Sequence, residues 1–359
     1  MIIFGDGTAR GISLFFLKEE SIMKKRLIAL GLTAAMAAAM VGCGSAESNE
    51  KESGTPSTEE TTTTADGKTY NIGVCQLLQH PALDAATEGF QAALTEKLGE
   101  AVTFDVQNAS GESANCATIV NGFVSSDVDL ILANATAPLQ AAASATADIP
   151  VLGTSVTDYA TALEITDWTG VVGNNISGTS DLAPLDQQAE MLKELFPDAK
   201  KVGLLYCSAE ANSVYQCTVI EGYLKDYGYD VTWYAFTDTN DVASVAQSAA
   251  DASDVIYIPT DNTAAANTEA IANIVIPAKV PVIAGEEGIC SGCGVATLSI
   301  SYYDLGYTTG EMAYEVLVNG ADIKTMEVKY APKVTKEYNA ANCEALGITV
   351  PDDYTAIAE

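Results

Sequence analysis

From Tyr70 onward, short apolar runs alternate with helical patterns, and the whole alternation occurs twice. The first series predicts strands at 71–78, 102–107, 130–133, 151–156 and 171–173, with helices at 82–98, 113–125 and 139–147 in the gaps. The second begins after Pro184 and predicts helices at 185–195, 213–227, 241–252 and 264–276, alternating with strands at 202–206, 231–236, 255–258 and 282–284. Strands joined through helices pair in parallel, and a parallel sheet must be covered on both faces. The expected fold class is therefore α/β, with two similar Rossmann-like lobes, each built on a parallel sheet, and a ligand cleft between them. A last piece, with strands at 295–300 and 326–330 around a helix at 305–318, is too short for a domain and is expected to rejoin one of the two sheets. The boundaries drawn from this are 69–178 with 295–328 for the first lobe and 179–294 with 329–359 for the second.

One stretch shows what such a cleft offers. Asp129 to Ala143 reads as a buried strand, a short polar loop and a helix, with Thr136 placed to cap the helix and Pro138 in its first turn, where a missing N–H loses nothing. A helix start presents free amides and the positive end of a dipole, so a ligand carboxylate can sit there without a basic side chain. An ordinary strand-to-helix turn has the same sequence signature. Ligands of open parallel sheets bind outside the carboxyl ends of the strands. The loops at those ends are polar and mostly lack positive charge.

The segment ahead of Tyr70 reads as an address. Lys24-Lys25-Arg26, an apolar run from Leu27 to Val41, and Gly42-Cys43 have the layout of an export signal, and a run of 15 residues falls short of the roughly 20 needed to span a bilayer. It resembles a bacterial lipoprotein signal, which implies cleavage before Cys43 and a lipid on its thiol. Residues 1–22 fit no part of such a signal, so translation is expected to start at Met23. Residues 43–68 read as the lipidated cysteine and an acidic tether without apolar periodicity. The chain carries 17 basic and 48 acidic residues, a net charge of −31, and loss of residues 1–42 makes it −33. Such a field repels nucleic acid and anionic lipid.

Eight cysteines include Cys290 and Cys293 at C-x-x-C spacing, read as a surface turn that a local disulfide can close, with no second pair or histidine to complete a zinc site. His80 is the only histidine. No G-x-S-x-G, P-loop or G-x-G-x-x-G is present, which leaves a carboxylate-dependent hydrolase as the enzyme alternative to a binding protein.

Six motifs in order, H-P-A-L-D, A-T-A-P-L-Q-A-A, I-P-V-L-G-T-S-V-T-D, G-N-N-I-S-G-T-S-D, L-Y-C-S-A-E-A-N-S and P-T-D-N, resemble the substrate-binding lipoproteins of ABC importers. The resemblance is to the group that includes tryptophan- and tyrosine-binding members, and Tyr159 stands where that group usually has proline. It implies a type I periplasmic-binding-protein fold, three crossovers between the lobes, no cofactor or metal, and a small amino-acid-like ligand, tryptophan or tyrosine. It also implies a monomer lipid-anchored on the extracytoplasmic face of the cell membrane, with ABC permease subunits as partners; a sensor lipoprotein serving a membrane receptor is the alternative. A zwitterion needs donors for its carboxylate, an acceptor for its ammonium and a pocket for its side chain. The candidates are Thr136 and Ala137 for the carboxylate, with Asn212 and Ser213 closing from the other lobe, and Asp261 for the ammonium, with Asp158 and Glu286 behind it. Gln79, His80, Asn108, Tyr206 and Asn262 complete the expected ligand-binding set, His80 and Tyr206 as ring partners or as plain packing.

Overall fold

The computed structural model describes residues 67–358, so the signal segment, Cys43 and most of the tether lie outside the described residues. The chain runs β1 (Tyr70–Gln76), α1 (Pro81–Leu98), β2 (Val102–Asn108), α2 (Ser113–Ser125), β3 (Leu130–Asn134), α3 (Thr136–Ala145), β4 (Val151–Val156), α4 (Tyr159–Ala162) and β5 (Ile176–Ser180). It continues through α5 (Leu185–Leu195), β6 (Lys201–Cys207), α6 (Ala211–Asp226), β7 (Asp230–Phe236), α7 (Val242–Ala252), β8 (Val255–Ile258), α8 (Asn262–Ala265), α9 (Thr268–Ala278) and β9 (Val282–Ala284). It ends with α10 (Glu287–Cys293), β10 (Ala296–Ser299), α11 (Tyr302–Leu317), β11 (Lys329–Tyr330), β12 (Thr335–Tyr338), α12 (Ala340–Leu346) and β13 (Thr355–Ala356).

Two sheets result. The first has the order β11-β5-β4-β3-β1-β2 and is parallel throughout; the second has the order β13-β12-β10-β9-β8-β6-β7 and is parallel except where β12 meets β10. In each, the strand that opens the series lies between the second and third, so the chain winds both ways and leaves a switch point: β1 beside β3 in one lobe, β6 beside β8 in the other. Both faces of each sheet are buried. Ile131 and Ala133 pack under α2 and α3 while Leu130 and Leu132 pack under α1 and α11. In the second lobe Leu205 faces α7 and α9, and Leu204 and Tyr206 face α5 and α6.

The helices α1 and α11 touch backbone to backbone. A Cβ added to Gly306 would collide with the carbonyl of Ala86, and one on Gly89 with the carbonyl of Tyr303, so glycine at both sites permits the approach.

The chain crosses between lobes three times: from β5 into α5, from β10 into α11, and from β11 into β12. This places the expected boundaries differently. Strand β10 belongs to the second sheet, α11 packs on the first lobe, and β11 pairs with β5, so the first lobe regains the chain near Ser301 rather than at 295 and keeps it through Tyr330. A boundary at 178 would cut β5 in two. The strand expected at 171–173 is absent; Val171 makes one isolated bridge to Glu327, because Gly170 and Gly173 hold φ values of 89° and 86° that break an extended run. The fifth strand is instead the polar segment Ile176–Ser180. Its hydroxyls are satisfied internally, Ser177 on the Met326 carbonyl, Thr179 with Thr309, and Ser180 on the Thr157 carbonyl. Cys290 and Cys293 do not form a surface turn: both are buried on α10 and unpaired.

Candidate functional site

The carboxyl ends of both sheets face one cavity of about 430 Å³. The first lobe contributes the ends of β1, β2 and β3 through Leu77, Ser110 to Ala114, Thr136, Ala137 and Gln140. The second contributes the ends of β6, β7 and β8 through Ala209 to Asn212, Thr237 to Thr239, Asn262 and Thr263. No lysine or arginine is among the lining residues, whereas Glu112, Glu210 and Asp238 are.

Thr136 and Ala137 stand in this wall as expected, but Thr136 does not cap α3. Ala135 is the cap residue, held at a φ of 105°, and Thr136 is the first helical residue, buried at the cavity. The first N–H groups of a helix have no intrahelical acceptor, so the α3 start keeps its capacity for an anion.

Glu210 organises the second lobe's side. Its Oε1 accepts the Thr263 N–H at 2.8 Å and the Thr263 hydroxyl at 2.8 Å. Its Oε2 accepts the Asn262 N–H at 3.0 Å, Asn262 Nδ2 at 2.7 Å and Asn212 Nδ2 at 3.1 Å. One carboxylate thereby fixes the loop after β8 against the start of α6. The Asn262 side chain, turned by its Nδ2 toward Glu210, presents Oδ1 to the other lobe, where His80 Nε2 lies 3.2 Å away. An acceptor opposite Nε2 places the proton on that nitrogen and leaves Nδ1 a bare lone pair, buried and without a partner. Burial lowers the His80 pKa against the pull of Asn262 and of the acids Glu210 and Asp84, so the ring is neutral near pH 7.

The expected acids sit elsewhere. Asp261, the first choice for an ammonium, does not line the cavity: its Oδ2 accepts the Cys207 N–H at 2.6 Å, its Oδ1 accepts the Ala264 N–H at 2.8 Å, and burial together with Glu210 pushes its pKa up to about 8. It is the cap of α8 and a brace for β6. Glu286 likewise caps α10 through the Gly288 and Ile289 amides, fully buried, with burial raising its pKa to about 7. Asp158 caps α4 by accepting the Thr161 N–H at 2.7 Å.

Asn212 and Asn262 line the cavity, while Ser213 is wholly buried behind Asn212, its oxygen accepting Asn212 Nδ2. Gln79 and Asn108 line a separate open groove with Asp84 and Glu88. Tyr206 packs edge-on against Trp233 with ring centroids 5.1 Å apart, inside the core. Tyr159 is buried beneath β4 and β5, its hydroxyl donating to the Thr179 carbonyl and filling space left by Gly153 and Gly178. One residue absent from the expected set proves central: Glu210, whose only signal is an acid at the end of β6 opening α6.

The sequence profile described as ABC transporter substrate binding protein matches residues 71–359. A tyrosine-binding protein of Clostridioides difficile (strain R20291) is 35% identical over 306 residues, covering 82% of this chain and 85% of that one. Among solved structures, the ABC domain in complex with L-Trp from Streptococcus pneumonia is 32% identical, covers 79% of this chain and 97% of its own, and superposes with a TM-score of 0.76. The ligand-free, open structure of a substrate-binding protein with adhesive properties from Clostridium difficile is 36% identical, covers 80% and 99%, and gives a TM-score of 0.62. The two-lobed fold is that of the type I periplasmic binding proteins. With the profile spanning both lobes and their cleft, the chain belongs to the ABC transporter substrate-binding family.

Proposed function

We propose that this protein captures a free aromatic α-amino acid, tyrosine or tryptophan, between its lobes and delivers it to an ABC permease. The observation that carries this reading is the cavity: it joins both lobes at their switch points, lies within the usual range of small-ligand sites, and offers a helix start and neutral amides and hydroxyls instead of cations. A single carboxylate is well met by such a wall, whereas a phosphate without a basic partner would be repelled. The names of the relatives, one a tyrosine-binding protein and one solved with L-Trp, support the aromatic class.

Lipid attachment at Cys43 and display on the outer face of the cell membrane are part of the proposal, and Cys43→Ser should release the protein from the membrane fraction with ligand affinity intact. Thermal-shift screening against the twenty amino acids tests the ligand. A binder at 100 times its Kd stabilises the folded state by about 2.7 kcal/mol. Tyrosine and tryptophan should head the ranking; a protein that responds to neither, or more strongly to an aliphatic or acidic amino acid, does not have this function.

A further inference from the structure

The seven cysteines among the described residues are all buried and unpaired, but their settings differ. Cys75 on β1 and Cys116 on α2 are wholly buried in one apolar cluster. Register brings them together. Gly73 and Cys75, two residues apart on β1, share one face of the strand, and Cys116 and Phe123, seven apart on α2, share one stripe of the helix. A Cβ added to Gly73 would collide with the Phe123 ring, so that ring lies directly on the strand. Helix α2 runs opposite to β1, because Gly111, just ahead of the helix, donates to the Leu77 carbonyl just past the strand. With Phe123 over Gly73, the first turns of α2 come over Cys75, and the Cys75 and Cys116 thiols meet as donor and acceptor.

Other thiols are engaged with backbone. Cys207 donates to the Thr237 carbonyl at 3.6 Å, Cys293 to the Ile289 carbonyl at 3.4 Å and Cys343 to the Val295 carbonyl at 3.4 Å. Cys290 and Cys293 are the rival pair by spacing, yet the Cys293 thiol is turned to a carbonyl of its own helix. Between Cys75 and Cys116 the proton stays on Cys75. Donation from Cys75 makes the Cys116 thiol easier to ionise than an ordinary cysteine, while the same contact and burial make Cys75 harder to ionise.

Both residues stand directly behind the first lobe's side of the ligand cavity. Leu77 and Leu78 follow Cys75, Ser110 to Ala114 precede Cys116, and all of them line that cavity. Two backbone hydrogen bonds hold the loop before α2 to the end of β1, from Ala109 to the Gln76 carbonyl at 2.9 Å and from Gly111 to the Leu77 carbonyl at 2.8 Å. Glu112, at the start of α2, makes no side-chain cap.

We propose that Cys75 and Cys116 form a disulfide that braces this wall of the cavity, with a small-molecule disulfide such as glutathione disulfide as the oxidant. The Cys116 thiolate attacks one sulfur of the oxidant and expels the first thiolate, leaving a mixed disulfide. Cys75 then loses its proton and attacks the Cys116 sulfur, expelling the second. The oxidant takes up two electrons and two protons and leaves as two thiols. Both cysteines are sealed in the folded chain, so the exchange takes place as the chain folds or when α2 lifts locally from β1. The closed loop then restricts the unfolded chain and stabilises the native one. None of this depends on which ligand the cleft holds.

The test uses the full chain carrying Cys43→Ser, which keeps the seven cysteines of the folded body. The chain is refolded with reduced and oxidised glutathione, denatured, alkylated with iodoacetamide and weighed intact. Two of the seven thiols should escape alkylation, a proteolytic map should contain one cross-linked pair joining Cys75 to Cys116, and the chain reduced with dithiothreitol should label at all seven. The oxidised chain should melt about 3–8 °C above the reduced one, and the double variant Cys75→Ala with Cys116→Ala should melt alike in both buffers. Full labelling after oxidation, a link between Cys290 and Cys293 instead, or a glutathione adduct without a link would overturn the pairing. A Cys75–Cys116 link that leaves the melting temperature unchanged would overturn the brace. Labelling needs no substitution at either cysteine, so it decides the pairing even where the double variant does not fold.

Discussion

His80 and Asn262 belong to different lobes, and His80 Nε2 lies 3.2 Å from Asn262 Oδ1 in a buried contact. The bond exists only when the lobes are together, so it contributes to the free energy of closure and through closure to ligand affinity. A neutral hydrogen bond of this kind contributes about 0.5–1.5 kcal/mol, so His80→Ala should raise the Kd for the amino-acid ligand roughly 2- to 12-fold. Because Asn262 also binds Glu210, the clean measurement is the double-mutant cycle with Asn262→Ala. Strict additivity of the two changes in binding free energy would show that the pair makes no contribution to closure.

Glu210 supports a prediction about stability rather than charge. All five of its partners are donors, and Glu210→Gln turns an NH₂ group toward part of that set. The substitution should destabilise the protein by about 1.5–3 kcal/mol, seen as a lower urea midpoint at unchanged slope. Glu210→Gln that unfolds like the parent would mean that water replaces the lost acceptor and that the loop after β8 is held by something else.

Glycine substitutions on two helices should have opposite signs. In α11, Gly306→Ala drives a methyl group into the Ala86 carbonyl of α1 and should cost about 1–3 kcal/mol as the helices part. In α2, Gly122 has open space around the same position, and Gly122→Ala should stabilise by about 0.4–1 kcal/mol through the unfolded chain. Denaturation midpoints of the two variants compare them directly; equal effects would contradict the close approach of α1 and α11.

The sequence made the twin βα series and the cleft legible because apolar runs such as Leu130–Ala133 and Val255–Ile258 can be nothing but buried strands once helices flank them. It failed at β5 for the same reason. Val171 and Val172 look like a strand and are not one, while Ile176–Ser180 carries serine and threonine into the sheet because α11, from far along the chain, supplies Thr309 to meet them. Acids at strand ends are equally ambiguous: Asp158, Asp261 and Glu286 each precede a short helix and cap it, a local role that outcompetes ligand contact and that charge pattern alone does not reveal. His80 and Asn262 were recognisable as cleft residues, but their pairing joins positions that only the two folded lobes bring together.

The last prediction concerns pH and separates Asp261 as a brace from Asp261 as a ligand residue. Its native pKa, raised by burial to about 8, and that of Glu286, raised to about 7, both lie well above the ordinary carboxyl range. Below about pH 4 both carboxyls hold their protons in the native and the unfolded chain, and stability does not respond to them. Between about pH 4 and 8 the unfolded carboxyls ionise while the native ones keep their protons, so the native state binds more protons and stability falls as pH rises. The melting temperature of the unliganded protein should therefore decline from pH 5 to pH 8. Asp261→Asn removes the titrating group and should flatten part of that decline, with a stability loss at every pH, because its NH₂ must face one of the two backbone N–H groups that the carboxyl accepts. Its affinity for tyrosine or tryptophan should stay within about 3-fold of the parent, since both Asp261 oxygens face the Cys207 and Ala264 amides and not the cavity. Melting curves across pH and one titration check both halves. A decline as steep in Asp261→Asn as in the parent would mean that Asp261 is ionised in the folded protein, and a loss of affinity of 10-fold or more would return it to the ligand site.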